Sequence, residues 1–269
     1  MILDQARQEG WAGTGVVHLR GVIDPTVADA LVDWVEEVAA WSNDPAKPGL
    51  HHREQTDAGP VLARSEYFAD AHESLGRFIR HDEVIVEVLT GLFGQPPVLF
   101  KEKINYKHPG GGGFAPHQDA TAYRFVDHHI SVMVPIDPAT EASGCLWFAD
   151  ALPAGELATD GRGRIAPDVV DALSWHPVEV QPGDLVFFDS YAPHRSDTNT
   201  TDRPRRVLYL TYNAQSDGDL RERYYRDKLA EFAGADGTFD RDRVRMSIND
   251  DFLGRPVVQP DPIGTGDQP

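Results

Sequence analysis

A single cysteine, Cys145, occurs in 269 residues, so neither an intrachain disulfide nor a cysteine-rich metal site is available. No apolar run approaches the roughly 20 residues that cross a bilayer. Met1-Ile2-Leu3-Asp4-Gln5 lacks the basic flank and apolar stretch of a secretion signal. Basic residues are scarce beside acidic ones, 25 against 43, for a net charge of -18. A surface of that sign repels nucleic-acid phosphates and anionic membranes. An HExxH helix and an internal repeat are also missing, which removes the common hydrolytic zinc motif and the solenoids. These absences predict a cytoplasmic protein whose partner is a small molecule, with no nucleic acid and no membrane as target. They also require any anion site to be assembled locally from lysine and arginine.

What is present reads as an ordinary globular chain, long enough to bury a substantial core. Asp24-Pro25 pairs an N-cap with a first-turn proline, and Leu31, Trp34, Val35, Val38 and Trp41 follow at helical spacing. Further helices are expected at about 70–80 and 82–93, the second stopped by Gly94 and Pro96-Pro97. Ser42 to Gly59 is polar and reads as a loop. From Val98 the segments become short, apolar and aromatic: Val98–Lys107, Ile130–Ile136, Cys145–Phe148, Val178–Val180, Leu185–Phe188 and Arg206–Tyr212. With Gly15–Leu19 these predict a mainly β protein with flanking helices, a double-stranded β-helix of the jelly-roll or cupin kind. The expected organisation is one domain over 1–269: helices about 24–95, barrel core about 97–213, and a helix (Leu220, Tyr224, Leu229, Phe232) with an irregular tail about 217–269.

Three His-x-acid triplets occur, His52-Arg53-Glu54, His81-Asp82-Glu83 and His117-Gln118-Asp119. Context separates them. His52 lies in the polar loop and His81 at a helix junction. His117 follows Gly110-Gly111-Gly112-Gly113, directly after a strand, and on extended chain residues two apart face the same way. His117 and Asp119 can therefore converge on one ion. His194, 75 positions beyond Asp119, follows the turn Gln181-Pro182-Gly183-Asp184 and an apolar strand. Two imidazoles and one carboxylate on one face of iron(II) form the facial triad of non-haem oxygenases. Arg205, eleven residues after His194, opens an apolar strand. A guanidinium there calls for an anionic partner such as a carboxylate; an arginine reaching out to solvent is the alternative. The doublets His51-His52 and His128-His129 cannot chelate as pairs on a strand, because neighbours face opposite ways.

His117-Gln118-Asp119, Gly144-Cys145-Leu146, Pro182-Gly183-Asp184, His194-x-Ser196-x-x-Asn199 and Arg205 resemble the motif series of the phytanoyl-CoA dioxygenase family. The segments 100–107, 117–123, 188–194 and 205–213 resemble its 2-aminoethylphosphonate dioxygenase branch. The resemblance implies an Fe(II)- and 2-oxoglutarate-dependent oxygenase, which consumes O2 and releases succinate and CO2 while hydroxylating a substrate C–H bond. In that branch the carbon next to phosphorus in 2-aminoethylphosphonate or an N-methylated analogue is oxidised. His117, Asp119 and His194 are implied as iron ligands, Arg205 as the clamp on the far carboxylate of 2-oxoglutarate, and Ser196 and Ser131 as positions near that co-substrate. Lys101, Lys103 and Asn105 share one strand face. Lys103 is a candidate for a second contact to 2-oxoglutarate or for a phosphonate, the alternative being an exposed lysine beside Glu102. Gln118 is a candidate for supporting the ligands or the co-substrate. Tyr106, Tyr123, Arg124, Tyr191 and Tyr209 are candidates for substrate contact, through cation–π attraction or a phosphonate pair, and otherwise pack the barrel. Ser42–Gly59 and Ala149–Pro167 are candidate lids. The same chemistry on a natural-product intermediate or an amino-acid-like solute, and a metal-binding cupin without turnover, are the competing functions.

Overall fold

A computed structural model describes residues 3–44, 46–123, 125–232 and 250–257. The chain begins with α1 (Gln5–Thr14), β1 (Val16–Leu19) and α2 (Pro25–Trp41). A hairpin of β2 (Leu50–Thr56) and β3 (Gly59–Glu66) leads to α3 (Glu73–His81) and α4 (Glu83–Phe93). Then come β4 (Pro97–Lys107), β5 (Phe114–His117), β6 (His129–Pro135) and β7 (Leu146–Ala149). They are followed by α5 (Pro167–Ala172), β8 (Trp175–Val178), β9 (Leu185–Asp189), β10 (His194–Ser196) and β11 (Arg205–Ala214). The described chain closes with α6 (Arg221–Phe232) and β12 (Pro256–Val257).

Two antiparallel sheets form the jelly roll. The larger has the order β1-β9-β6-β11-β4-β3-β2-β12, and the smaller β5-β10-β7-β8. Period-two alternation gives each central strand two environments. On β11, Leu208, Leu210 and Tyr212 join the core under the helices, while Val207 and Tyr209 face the smaller sheet. On β6, Ile130, Val132 and Val134 take the helix side and Met133 the inter-sheet side. Leu31, Val35 and Val38 of α2 and Ile85, Val88 and Leu89 of α4 complete the helix-side core. The expected cap is in place, the Asp24 carboxylate accepting from Thr26 N–H, and Asp82 caps α4 in the same way by accepting from Val84 and Ile85.

Three stretches differ from the sequence reading. α1 carries no apolar stripe that would mark it. Leu50–Thr56, inside Ser42–Gly59, is not a loop: β2 reads His-His-Arg-Glu-Gln across its middle, and it pairs because β3 and β12 supply its ladders. Within the irregular tail, Asp250–Val257 gains a bridge at Phe252 and the two residues of β12, and it lies back across β5 and β2. Ala115 N–H donates to Asp251 O (2.7 Å), Leu253 N–H to Gly113 O (2.9 Å) and Gln55 N–H to Arg255 O (2.8 Å). Glycine is required at this crossing, since a Cβ at Gly112 would lie 2.4 Å from Gly254 and one at Gly113 would lie 2.0 Å from the Ser196 carbonyl.

α6 is fixed by charge rather than by its leucines. Leu229 is exposed, whereas Arg221, Tyr224, Tyr225 and Lys228 are buried. Glu102 on β4 accepts from Arg221 Nη2 (2.8 Å) and from the Phe68 and Ala69 N–H groups (2.8 Å each). Those two amides are aimed by Tyr67, which takes φ of 60°. Removing one partner of a buried ion pair leaves the other charge uncompensated. Glu102→Ala should therefore cost about 3–5 kcal/mol in urea unfolding, and a loss under about 1 kcal/mol would show that the pair does not hold α6.

Candidate active site

His117 ends β5 and His194 begins β10, and the two residues are direct partners across the ladder. Their rings lie 4.2 Å apart between centroids. In each, Nδ1–H donates to the carbonyl two residues upstream, His117 to Ala115 (2.7 Å) and His194 to Ala192 (3.0 Å). That bond fixes the tautomer and leaves Nε2 with a lone pair aimed inward. Asp119 follows at the start of a 3-10 turn, with Oδ1 4.0 Å from His117 Nε2. One ligand atom from each of the three lies within 4.8 Å of the others, and all three residues are buried. Ser131 Oγ donates to Asp119 Oδ2 (3.3 Å) and is itself paired with Thr211 Oγ1 (3.0 Å).

Electrostatics prepares the set for a cation. Burial raises the Asp119 carboxyl, but Lys101, His194, Lys103 and His117 outweigh it and hold the group well below the usual carboxylate range. Burial, then the neighbouring His117, lowers His194 to about 4. A deprotonated carboxylate and a neutral imidazole are the states a metal needs.

Arg205 is buried at the head of β11, in register with Lys107. Its Nη2 donates to Gly144 O, while Nε and Nη1 are buried with no hydrogen-bond partner among the described residues. Nearby, Lys107 Nζ donates to Ser196 Oγ (3.0 Å), Gly144 O (3.2 Å) and Asp197 O (2.6 Å). The triad, Arg205, Ser196, Tyr209 and Ser131 line one cavity. Two free guanidinium donors in the same cavity as a two-histidine, one-carboxylate cluster suit a metal chelator that ends in a carboxylate.

Residues 11–207 match the family described as Phytanoyl-CoA dioxygenase (PhyH). The chain belongs to the phytanoyl-CoA dioxygenase family. It is 43% identical to "Methylphosphonate hydroxylase" of Gimesia maris, over 96% of this chain and 98% of that protein. It is 39% identical to "2-aminoethylphosphonate dioxygenase" of an uncultured bacterium, over 85% and 88%. Among solved structures its fold is similar to EctD from S. alaskensis with 2-oxoglutarate and 5-hydroxyectoine, at TM-score 0.68, 17% identity and coverage of 80% and 77%. It is also similar to the α-ketoglutarate-dependent carbocyclase SnoK, at TM-score 0.65, 20% identity and coverage of 79% and 84%. At those identities the structures speak to the fold.

The remaining candidates in this phytanoyl-CoA dioxygenase family member divide cleanly. Lys103 and Tyr123 line the cavity, with Lys103 Nζ 5.2 Å over the Tyr209 ring. Tyr191 stands in an outer vestibule, its hydroxyl donating to Asp127 O (3.0 Å). Tyr106 has the opposite parity on β4 and belongs to the helix-side core. Gln118 is outside the cavity, and its amide is spent on Tyr191 O (2.7 Å), Gly155 O (3.2 Å) and Leu157 N–H (2.7 Å). Part of the Ala149–Pro167 stretch is thereby tied to the triad loop. Arg124 lies outside the described residues. Neither histidine doublet forms a metal cluster among the described residues.

Several cavity residues were not singled out by the sequence. Arg64, Lys107, Lys228, Glu66 and Asp251 all line it. The parity that marks Lys103 also covers Lys107, a usable signal. Arg64 and Glu66 come from the unforeseen β3, Lys228 from the unforeseen face of α6, and Asp251 from the tail.

Acid sensitivity follows from the buried histidines. Burial lowers His52 and His129 to about 3, as it lowers His194 to about 4. The unfolded chain takes up these protons from about pH 6.5 downward, while the folded chain refuses them. Stability is thus complete above about pH 6.5 and falls toward pH 4, by up to about 4 kcal/mol per pH unit for three groups. Protonation of Asp119 and Glu66, both held low, continues the loss below that range. Urea midpoints of the metal-free protein between pH 7 and 4.5 should drop steeply; a flat profile would show that the three rings do not stay neutral.

Proposed function

We propose that this chain is an Fe(II)- and 2-oxoglutarate-dependent dioxygenase that hydroxylates a C–H bond of a small phosphonate, releasing succinate and CO2. The supporting observation is the pairing, in one cavity, of the His117–Asp119–His194 cluster with Nε and Nη1 of Arg205, which have no hydrogen-bond partner among the described residues. In this reading the three ligands hold iron through His117 Nε2, His194 Nε2 and the Asp119 carboxylate. Arg205 receives the far carboxylate of 2-oxoglutarate, and Ser196, held by Lys107, stands beside it. Bound there, iron and co-substrate supply the oxidant that takes hydrogen from the substrate carbon. The protein's share is to keep the ligands deprotonated, orient both imidazoles and exclude water. A carboxylate at position 119 favours hydroxylation over halogen transfer, since it fills the site that a halide would need.

The substrate class rests on charge. The cavity is lined by Arg64, Lys101, Lys103, Lys107, Arg205 and Lys228 against Glu66, Asp119 and Asp251. Two positive charges from iron and two negative ones from 2-oxoglutarate cancel, so a cationic excess is left for a second anion. Relatives named for methylphosphonate and 2-aminoethylphosphonate agree with a phosphonate as that anion. Burial also lowers the Lys101 and Lys107 ammonium groups well below their usual range, so an anion beside them restores their charge.

With iron(II), ascorbate and 2-oxoglutarate, succinate should form in step with a hydroxylated phosphonate. Asp119→Ala should abolish that turnover. Arg205→Ala should raise the 2-oxoglutarate KM by about a hundredfold, the effect of losing a charge-assisted contact of 2–3 kcal/mol. Turnover that needs no 2-oxoglutarate, or that survives Asp119→Ala, would sink the assignment.

A further inference from the structure

Two lysines on β4 reach the cavity without an acceptor. Lys101 is 5% exposed, yet among the described residues its Nζ has no hydrogen bond or ion pair: it stands over the Tyr123 ring at 4.2 Å and the Tyr224 ring at 5.6 Å, with Asp119 and Glu66 in electrostatic reach. Lys103, two residues on and on the same strand face, likewise has no hydrogen bond or ion pair among the described residues; it stands over the Tyr209 ring at 5.2 Å, with Asp119, Glu66 and Asp251 in electrostatic reach. A buried and a half-buried ammonium group lining one cavity constitute a site for a group with several anionic oxygens. The other lysines are already engaged: Lys107 holds Ser196 Oγ and two carbonyls, and Lys228 is paired with Glu66.

A carboxylate faces the same cavity from the returning tail. Asp251 is 4% exposed, with Oδ2 3.2 Å from His117 Nε2. It thus adds a negative group beside the position that a metal would take. Asp251 is held in place by its own carbonyl, which accepts from Ala115 N–H, and by the bridge between Phe114 and Phe252. The outer vestibule joins the cavity at Tyr123, Tyr224 and Lys228, and it carries Asp127, Glu156, Asp227 and Asp250 against Arg162 and Lys228. An acidic entrance to a cationic cavity repels a simple dianion and admits a zwitterion more readily.

We infer that the substrate is gripped at both ends: Lys101 and Lys103 take the phosphonate oxygens, Asp251 takes an ammonium, and Asp251 is the residue that selects an aminoalkylphosphonate over an alkylphosphonate. The inference rests on the oxygenase reading above and adds the amine to it. It separates the two relatives' chemistries, because methylphosphonate offers nothing for Asp251 to pair with.

The test is calorimetric binding to the protein loaded with iron(II) and 2-oxoglutarate without oxygen, using 2-aminoethylphosphonate and ethylphosphonate, which share a carbon skeleton. The unsubstituted protein should bind the amine-bearing compound at least about tenfold more tightly, as expected for a desolvated charge pair. Asp251→Asn should bring the two affinities within about threefold of each other, and Asp251→Glu should restore part of the gap. Lys101→Met should weaken both compounds by about tenfold or more. Equal affinities in the unsubstituted protein overturn the inference without any variant. So does an Asp251→Asn protein that keeps the preference, or one that loses iron instead, which would make Asp251 a metal ligand. Intact binding of iron and 2-oxoglutarate with neither phosphonate bound removes the phosphonate class. Failure to bind 2-oxoglutarate at all removes the oxygenase reading itself.

Discussion

Buried positive charge is the constraint on which this structure turns. A chain of net charge -18 gathers six basic side chains around one cavity, and each has to be balanced or left waiting for a ligand. The balanced ones build the walls. Lys228 and Arg64 meet at Glu66 and thereby join α6 to β3. Arg221 meets Glu102 and joins α6 to β4. Lys107 is shared among three oxygens and joins β4 to the loop after β10. The unbalanced ones, Lys101, Lys103 and two donors of Arg205, point at the space where ligands belong. Stability and binding therefore draw on the same residues, with pairing separating the two roles.

The triad depends on this arrangement as much as on its own ladder. β5 and β10 bring His117 and His194 into direct register, and a carbonyl two residues before each ring fixes its tautomer. Asp119 stays ionised in a dry site because Lys101 and Lys103 lie within electrostatic reach. The lysines that await an anion thus also keep the carboxylate ready for a metal. Filling the anion site and filling the metal site are coupled through that shared field.

Local pattern carried the reading from sequence as far as local pattern goes. Period-two parity identified the His117–Asp119 pair and the basic face of β4. The turn before β9 placed His194, and an arginine opening an apolar strand identified Arg205. The helix α2 was legible from its cap and stripe, and α4 from the glycine and prolines that stop it. What was not legible came from pairing at long range. β2 is polar through its middle, so nothing in His51–Gln55 announces a strand until β3 lies beside it. The residues of α6 that matter are Arg221, Tyr225 and Lys228, buried because Glu102 and Glu66 await them, whereas Leu229 is exposed. Asp251 is one acid among many in an Asp-, Gly- and Pro-rich tail, and only its return across β5 sets it apart.

That return explains the glycines before the triad. Gly112 and Gly113 leave no room for a side chain, because Gly254 and the Ser196 carbonyl occupy the space a Cβ would take. Glu54 adds to the crossing by accepting from Gly112 N–H (2.8 Å). The cavity is thus completed by chain more than a hundred residues away from the His117–Asp119 segment. His194 and Arg205 come from strands whose register is locked on both sides, β10 between β5 and β7 and β11 between β4 and β6, whereas His117 ends the edge strand β5 and Asp119 opens the 3-10 turn after it. Asp251 comes from a segment whose own ladder is two residues of β12 on β2. A change in the tail therefore acts on the charge facing the cavity and on β5 together, because the Asp251 carbonyl accepts from Ala115 N–H and the Ala115 carbonyl accepts from His117 Nδ1–H. The acid that the tail brings to the cavity and the ring that opens the His117–Asp119 pair thus share one backbone attachment, Ala115.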